Sequence, residues 1–157
     1  MRAGIGYDIH PFEAGRALVL GGVAIEHERG LGGHSDADVL AHAVIDALLG
    51  AAAMGDIGSH FPPDDPAYEG VSSIELLRAT DQLVWKAGYR IVNVDATVVA
   101  EAPRLAPHVL EMRRTLARAL RVEPDAVSVK ATTADRLGAI GRGEGIAALA
   151  VALLDST

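Results

Sequence analysis

The distribution of apolar and polar positions divides the chain into strands and helices that follow one another in mixed order. Alternating or continuous apolar runs, bounded by glycine, proline or polar turn residues, predict short strands. The predicted strands span residues 2–9, 17–20, 23–25, 90–100, 127–133 and 145–154. Gly21-Gly22 is expected to form the turn between the second strand and the third.

Apolar residues spaced three and four positions apart predict three helices. The first is expected over residues 35–53, with Ser35 as its N-cap. Ser72-Ser73-Ile74-Glu75 is a capping box that begins the second helix, and Gly88 ends it. The third helix is expected from about Pro107 to Arg121. At most one further helical turn is predicted, at residues 134–138.

Two segments without apolar periodicity are predicted to be loops. Residues 28–34 are rich in glycine, and residues 55–71 are rich in Gly, Asp, Pro and Ser. A loop as long as the second is usually functional or mobile in a compact domain. Because the chain contains neither an internal repeat nor a linker, we expect one α+β domain over residues 1–157, with its sheet packed on one side by helices.

Length, charge and composition restrict the class of protein. A chain of 157 residues can bury one sizeable core but has no room for a second catalytic domain. The net charge is −7 and no basic run occurs, so neither nucleic acid nor an anionic membrane is expected as a partner. Without cysteine, a zinc site must use histidine and carboxylate ligands, a pattern typical of catalytic zinc. The chain begins without a signal sequence and contains no apolar run of about 18 residues, so the cytosol is the expected location.

Asp8 and His10 are the first candidates for metal ligands. They lie two positions apart on a predicted strand, so both side chains should point to the same face. The first predicted helix adds His42, with Asp38 and Asp46 one turn away on either side. One of these two carboxylates is expected to orient His42 if that histidine binds a metal. A turn aspartate, a surface histidine and a solvated His42 would explain the same residues without a metal.

Two segments before the second helix offer groups that bind anions or sugars. His34-Ser35 precedes the first predicted helix, whose N-terminus favours a phosphate, although Ser35 is equally well explained as a cap. Residues 55–58 and 61–65 form an acidic, turn-rich stretch. Its carboxylates suit the hydroxyls of a sugar, and ordinary turn chemistry explains them about as well.

Two segments near the C-terminus offer a second metal site and an anion site. Thr132-Thr133-Ala134-Asp135 provides hydroxyls and a carboxylate for a hard metal such as magnesium, with simple N-capping as the alternative. Residues 141–145 place Arg142 among glycines, where the backbone can approach an anion closely. A plain loop with a pair between Arg142 and Glu144 is the alternative.

Taken in this order, the segments resemble the 2-C-methyl-D-erythritol 2,4-cyclodiphosphate synthase family almost from end to end. The motifs that carry the resemblance are residues 4–12 (GIGYDIHPF), 33–39 (GHSDADV), His42, 46–50 (DALLG), 55–58 (GDIG), 130–133 (KATT), 137–138 (LG) and 141–145 (GRGEG). Each motif alone is weak, whereas the ordered set is specific. The resemblance implies an enzyme of the non-mevalonate isoprenoid route.

The resemblance implies a homotrimer whose active sites lie between neighbouring subunits. Asp8, His10 and His42 would hold a zinc ion and leave a fourth position for a phosphate oxygen. The substrate would be 4-diphosphocytidyl-2-C-methyl-D-erythritol 2-phosphate, whose 2-phosphate attacks the β-phosphorus and expels CMP, leaving a cyclic diphosphate. Because two anionic groups must meet, a second ion, Mg²⁺ or Mn²⁺, is expected on Asp135.

The resemblance also assigns the remaining site residues. His34 and Thr133 would stabilise the transition state. The erythritol part would be held by Asp56, Ile57, Gly58, Phe61, Pro62, Pro63, Asp64 and Asp65. The cytidine pocket would be lined by Ala100, Glu101, Ala102, Pro103, Arg104, Leu105, Ala106, Ala131, Thr132 and Thr133. Further substrate contacts are expected from Asp8, His10, Ser35, Ala134, Asp135, Ala139 and Arg142.

Three positions depart from the pattern of the family. Asp135 stands where a glutamate is usual, so the contact with the second metal is expected to be longer or bridged by water. Ala134 replaces a commoner threonine. Ala139 replaces a common phenylalanine, which is expected to change the shape of an apolar cavity along the trimer axis. In the family, that cavity can hold an isoprenoid diphosphate, with arginines matching Arg142 at one end.

Two other functions use the same residues. A zinc-dependent phosphohydrolase would place water in the open position of the metal. A non-catalytic trimer would bind isoprenoid phosphates in its central cavity through Arg142 and the apolar final strand.

Overall fold

A five-stranded mixed sheet forms the centre of the fold in the computed structural model, which describes residues 1–157. The seven strands are β1 (Arg2–Ala14), β2 (Leu18–Leu20), β3 (Val23–Ile25), β4 (Arg29–Leu31), β5 (Tyr89–Val99), β6 (Val127–Thr132) and β7 (Gly145–Ser156). Five of them form the sheet in the order β4-β1-β7-β5-β6, in which only β5 and β6 are parallel neighbours. β2 and β3 form a separate antiparallel pair.

The helices lie between the strands along the chain. They are α1 (Val39–Ala51), α2 (Ile57–His60), α3 (Ser73–Lys86), α4 (Val109–Ala119) and α5 (Gly138–Gly141). Short 3₁₀ turns occupy Pro66–Tyr68, Ala106–His108 and Pro124–Ala126. No helix is long and apolar enough to cross a membrane.

The core lies between the sheet and the three longer helices. Every residue of α1 except Asp46 and Gly50 is buried. Complete burial of an aliphatic side chain such as Leu40 contributes about 2 kcal/mol, so this helix is the main anchor of the fold. α3 and α4 bury only one face each, because polar residues occupy the other face.

The opposite face of the sheet is not covered by helices. Its large apolar side chains are 40–71% exposed, and they are Ile5, Tyr7, Ile9, Leu149 and Val151. They alternate along β1 and β7 with residues that face α1. The predicted architecture, an α+β sheet packed on one side by helices, is therefore confirmed.

Glycines let β1 and α1 lie directly against each other. A Cβ added at Gly4 or Gly6 would lie 2.1 or 1.9 Å from a carbonyl oxygen of α1, so only glycine permits this approach. Asp8 and His10 continue the same face of β1 beyond these glycines. They therefore meet the first turn of α1, which carries His42.

The start of α1 differs from the prediction. The N-cap is Asp38, whose carboxylate accepts a hydrogen bond from the N–H of Ala41, and it is not Ser35. Helical geometry cannot begin earlier, because Ala37 has a φ of 54°. The Asp38 carboxylate already accepts from one N–H group of this N-terminus, and an anion site at His34-Ser35 stays a prediction.

Both predicted loops contain regular structure. The glycine-rich segment 28–34 includes β4, which pairs with the end of β1, and β1 is correspondingly longer than predicted. Segment 55–71 includes α2 and a 3₁₀ turn. All three elements were missed because each is only three or four residues long, too short for apolar periodicity to show.

The helical turn predicted at residues 134–138 is wrong. Asp135 and Arg136 have φ values of 51° and 62°, in the left-handed region, and the helical turn is α5, which begins at Gly138. The longer elements, α3, α4, β5, β6 and β7, lie where they were predicted, with shifts of at most a few residues at their ends.

Candidate metal centre

Asp8, His10 and His42 converge at the junction of β1 and α1. Their ligand atoms all lie within 4.8 Å of one another. Oδ2 of Asp8 is 2.9 Å from Nε2 of His10 and 3.1 Å from Nδ1 of His42, and these two nitrogens are 3.3 Å apart. One oxygen and two nitrogens thus face a common point, as in zinc sites that keep a fourth position open.

Backbone and hydroxyl groups hold both imidazoles from behind. Nδ1 of His10 lies 2.6 Å from the carbonyl oxygen of Gly32, so it carries the proton and leaves Nε2 free to bind a metal. Nε2 of His42 lies 2.8 Å from Oγ of Ser73 and 3.1 Å from Oγ of Ser35. Such outer contacts are the usual support of histidine ligands, so the residues fit a divalent metal.

Asp8 and His10 shift each other's pKa in opposite directions. Burial on its own would raise the pKa of Asp8, but its hydrogen bonds with His10 and His42 outweigh that effect and lower the pKa to about 2. Burial on its own would lower the pKa of His10, but the Asp8 carboxylate outweighs that effect and raises it.

A cavity of about 230 Å³ surrounds the three side chains. Besides them it is lined by His34, Ser35, Ile57, Gly58, Phe61, Pro63, Tyr68 and Leu76. The histidine and serine that precede α1 and part of the segment assigned to the erythritol unit therefore share one cavity with the candidate ligands.

Arg16 braces the loop that carries His34. Its guanidinium donates hydrogen bonds to the carbonyl oxygens of Gly33, at 2.6 Å, and Ser35, at 2.7 Å. These two residues flank His34, whose side chain is exposed to the cavity. Arg16 lies in the turn between β1 and β2, and nothing in its sequence context indicated this role.

Neither Asp38, the N-cap of α1, nor Asp46 orients His42, in contrast to the prediction. The Asp38 carboxylate accepts hydrogen bonds from the N–H groups of Gly21, Gly22 and Ala41. Burial raises its pKa despite these three donors. Asp46 accepts a hydrogen bond from Ile57 N–H at 2.7 Å, so it positions α2 instead.

The acidic residues of the 55–71 segment serve local structure. Asp56 caps α2 and accepts hydrogen bonds from the N–H and hydroxyl of Ser59, and these bonds lower the pKa of Asp56. Asp65 caps the following 3₁₀ turn. Asp56, Pro62, Asp64 and Asp65 do not line the cavity around the candidate ligands.

The residues assigned to cytidine form a second cavity, of about 300 Å³. It is lined by Ala100, Glu101, Pro103, Arg104, Leu105, Ala106, Ala131, Thr132 and Thr133. Ala102, Ala134 and Asp135 do not line it. This second cavity shares no residue with the first, so one chain does not bring the two sets together.

Glu101 ties the two segments of the second cavity together. Its carboxylate accepts hydrogen bonds from the N–H groups of Ala134, at 2.8 Å, and Arg136, at 3.3 Å. Thr133 Oγ1 accepts a hydrogen bond from the N–H of Asp135. Asp135 is exposed, and it belongs to no cluster of metal-binding side chains.

Ala139 and Arg142 line neither of these two cavities. Ala139 lines a further cavity of about 230 Å³ together with Ile9, His10 and Glu144. Arg142 is outside that cavity, and its Nε donates a hydrogen bond to Oε1 of Glu144 at 2.6 Å.

Comparisons with known proteins agree over the whole chain. The sequence model of the YgbB family matches residues 1–155. The 2-C-methyl-D-erythritol 2,4-cyclodiphosphate synthase of Syntrophobacter fumaroxidans is 58% identical over 156 residues, which cover 99% of this chain and 98% of that protein.

Solved structures agree with the sequence comparisons. The bifunctional IspDF from Campylobacter jejuni matches 99% of this chain with a TM-score of 0.96 and 40% identity, although the match spans only 42% of that longer chain. IspF of Plasmodium falciparum, solved as a CDP complex, matches with a TM-score of 0.87 and 33% identity over 99% of this chain and 96% of its own. Sequence and fold therefore agree that this chain belongs to the YgbB family.

Proposed function

We propose that this protein converts 4-diphosphocytidyl-2-C-methyl-D-erythritol 2-phosphate into 2-C-methyl-D-erythritol 2,4-cyclodiphosphate with release of CMP. The convergence of Asp8, His10 and His42 in one cavity with His34 carries the proposal. Relatives that bear the name of the cyclodiphosphate synthase match the chain over nearly its whole length. The proposal treats residues 1–157 as one catalytic domain.

The reaction brings two anionic groups into contact. Two unit charges about 4 Å apart repel by about 4 kcal/mol at an effective dielectric constant of about 20. Asp8, His10 and His42 would hold a zinc ion, and Asp135 would help to hold Mg²⁺ or Mn²⁺. When bound, these ions supply the positive charge that lets the phosphate approach the β-phosphorus.

The other side chains position the substrate. The exposed ring of His34 and the hydroxyl of Thr133 would donate hydrogen bonds to the oxygens that gain charge in the transition state. Ile57, Gly58 and Phe61 would contact the erythritol unit. The residues around the second cavity would hold the cytidine part of the substrate, which leaves as part of CMP.

Two cavities with no common residue require a second subunit if they are to act on one substrate. We infer a homotrimer in which the first cavity of one subunit faces the second cavity of its neighbour. The uncovered apolar face formed by Ile5, Tyr7, Ile9, Leu149 and Val151 supports association, because apolar patches of this kind usually mark an interface. A measured mass of three times 16.3 kDa is expected in solution.

The activity is tested with purified protein, the cytidine substrate, zinc and magnesium. We expect CMP and the cyclic diphosphate in equal amounts, identified by ³¹P nuclear magnetic resonance (NMR). In water labelled with ¹⁸O, the diphosphate should contain no label, because the nucleophile belongs to the substrate. A labelled linear product would identify a phosphohydrolase and reject the cyclase.

A further inference from the structure

The side of His42 that faces away from Asp8 contacts a hydroxyl, which is in turn bound to a carboxylate, and the proposed reaction uses neither group. Nε2 of His42 lies 2.8 Å from the hydroxyl of Ser73, the first residue of α3, which is completely buried. The same hydroxyl donates a very short hydrogen bond to Oδ1 of Asp36. Asp36 also accepts a hydrogen bond from Ser73 N–H at 3.1 Å, so it is bound to the N-terminus of α3.

When a cation occupies the Asp8 side of His42, the protons in this chain of contacts can be arranged in one satisfactory way, whereas without it Oδ2 of Asp8, 3.1 Å from Nδ1, competes for the ring proton. A carboxylate only accepts hydrogen bonds, so the single hydroxyl proton of Ser73 must point to Asp36. The Ser73 oxygen must then accept from His42, and Nε2 of His42 carries the proton. In neutral imidazole the other nitrogen, Nδ1, is left with its lone pair, and Nδ1 is the atom that faces Asp8 and His10.

The opposite tautomer leaves the contact with Asp36 unsatisfied. If Nδ1 carried the proton, Nε2 would have to accept the Ser73 proton, and two oxygens would face each other without hydrogen between them. That arrangement would be costly at a completely buried hydroxyl. Ser35 does not change the result. Its hydroxyl also lies 3.1 Å from Nε2 of His42, but a proton donated there would leave the 2.8 Å contact between Ser73 Oγ and Nε2 without a hydrogen. It can instead donate to Ser73 Oγ, at 3.3 Å, while it accepts from Ala37 N–H.

We propose that Asp36 and Ser73 are positioning residues that fix the tautomer of His42 and so decide which nitrogen binds the metal. The inference rests on the metal site of the proposed function. It also connects two helices, because Asp36 precedes α1 whereas Ser73 begins α3. Outer groups of this kind typically change metal affinity by about 10- to 100-fold.

Ser73→Ala is the main test, with Ser72→Ala as its matched control. Ser72 is the N-cap of α3, and its hydroxyl accepts from Ile74 N–H without touching His42. We expect Ser73→Ala to weaken zinc binding by about 10- to 100-fold in a chelator competition. Ser72→Ala should lower the melting temperature and leave zinc affinity unchanged.

The tautomer itself is measured by NMR on metal-free Asp8→Ala protein labelled with ¹⁵N-histidine, at a pH where the rings are neutral, because Asp8 would otherwise compete for the ring proton. This variant should show the proton of His42 on Nε2. Adding Asp36→Asn, which places a donor opposite the Ser73 hydroxyl, should shift the population towards Nδ1. A proton on Nδ1 in the Asp8→Ala protein, or wild-type zinc affinity in Ser73→Ala, would overturn the inference.

The two proposals fail in different ways. If the wild-type protein binds zinc no better than His42→Ala, the metal site of the proposed function is wrong. The NMR measurement needs no metal, so it still decides whether Asp36 and Ser73 fix the tautomer.

Discussion

The two cavities assigned to the substrate differ in how completely one chain builds them. In the first cavity, three ligand atoms lie within 4.8 Å of one another, and both histidine rings are held from behind. In the second cavity, Thr133 is exposed, and Asp135, which lies beyond its lining, has a left-handed backbone and no neighbouring metal ligand. The first is complete within one subunit, whereas the second provides only part of a site.

The difference follows from the elements that carry the residues. Asp8 and His10 lie on a central strand whose glycines press against α1, so packing fixes their positions. Thr133 and Asp135 follow the end of β6, an edge strand, and the segment is held by hydrogen bonds to Glu101 and by bonds within itself. A rigid centre suits metal ligands, and an open edge suits a surface that a neighbouring subunit completes.

The largest expected effect is that of His42→Ala. Loss of one ligand should abolish tight zinc binding, and loss of the metal's charge should lower kcat/KM by about 1,000-fold or more. Zinc content and CMP release measure the two effects. His108→Ala is the control, because His108 lies in a 3₁₀ turn remote from the ligands, and it should retain both properties. If His42→Ala retained zinc, the assignment of the metal ligands to the first cavity would be wrong.

Residue spacing predicted the ligands of the first cavity and not their support. The two-residue period of a strand places Asp8 and His10 on one face, so their convergence was readable from sequence. Ser73 was read only as part of a capping box, and Asp36 only as part of a motif. The contact between Ser73 and His42 joins residues 31 positions apart, and the contact between Ser73 and Asp36 joins residues 37 positions apart. Local periodicity carries no information about such contacts.

The second prediction tests whether the cavities belong to different subunits. Subunits carrying His42→Ala are mixed with subunits carrying Thr133→Ala after dissociation, and the trimers are allowed to re-form. If each site takes its first cavity from one subunit and its second from a neighbour, about one site in four combines two intact halves in a random mixture. We expect about a quarter of wild-type CMP release, from parents that are each nearly inactive.

Sites built within one chain would behave differently. Every subunit in the mixture carries one defect, so no site would be intact and activity would stay at the level of the parents. That outcome would contradict the shared site and leave the metal centre itself unaffected.

The third prediction concerns the stability of the metal-free protein. Asp8 has its pKa lowered to about 2 from 3.8, so its contribution is present above pH 3.8 and is lost as the pH falls through about 2. The raised pKa of His10 gives a contribution that is present below pH 6.5 and lost as the pH rises through its folded value. The pair should therefore stabilise the metal-free fold by about 2 kcal/mol, chiefly between these limits.

Urea unfolding of chelator-treated protein across this pH range measures the effect. Asp8→Asn removes the carboxylate and should flatten the maximum. Asp125→Asn is the control, because this carboxylate is fully exposed and lies 3.8 Å from Arg113 and away from the ligands. An unchanged pH profile in Asp8→Asn would show that the first cavity is not held by this ion pair.

The smallest effect is expected beside the second cavity, from Asp135→Glu. Because Asp135 is proposed to help to hold the second metal, the added methylene should bring the carboxylate closer to that ion. The left-handed backbone of Asp135 opposes the gain, because glutamate adopts it less readily than aspartate.

We expect the half-saturating Mg²⁺ concentration to fall by about threefold in Asp135→Glu, a change of less than about 1 kcal/mol. CMP release at fixed zinc measures it, with Asp125→Glu, a fully exposed carboxylate, as the control. Zinc affinity should not change in either variant, because Asp135 contacts none of the zinc ligands, and a change would mean that the two cavities are coupled within one subunit.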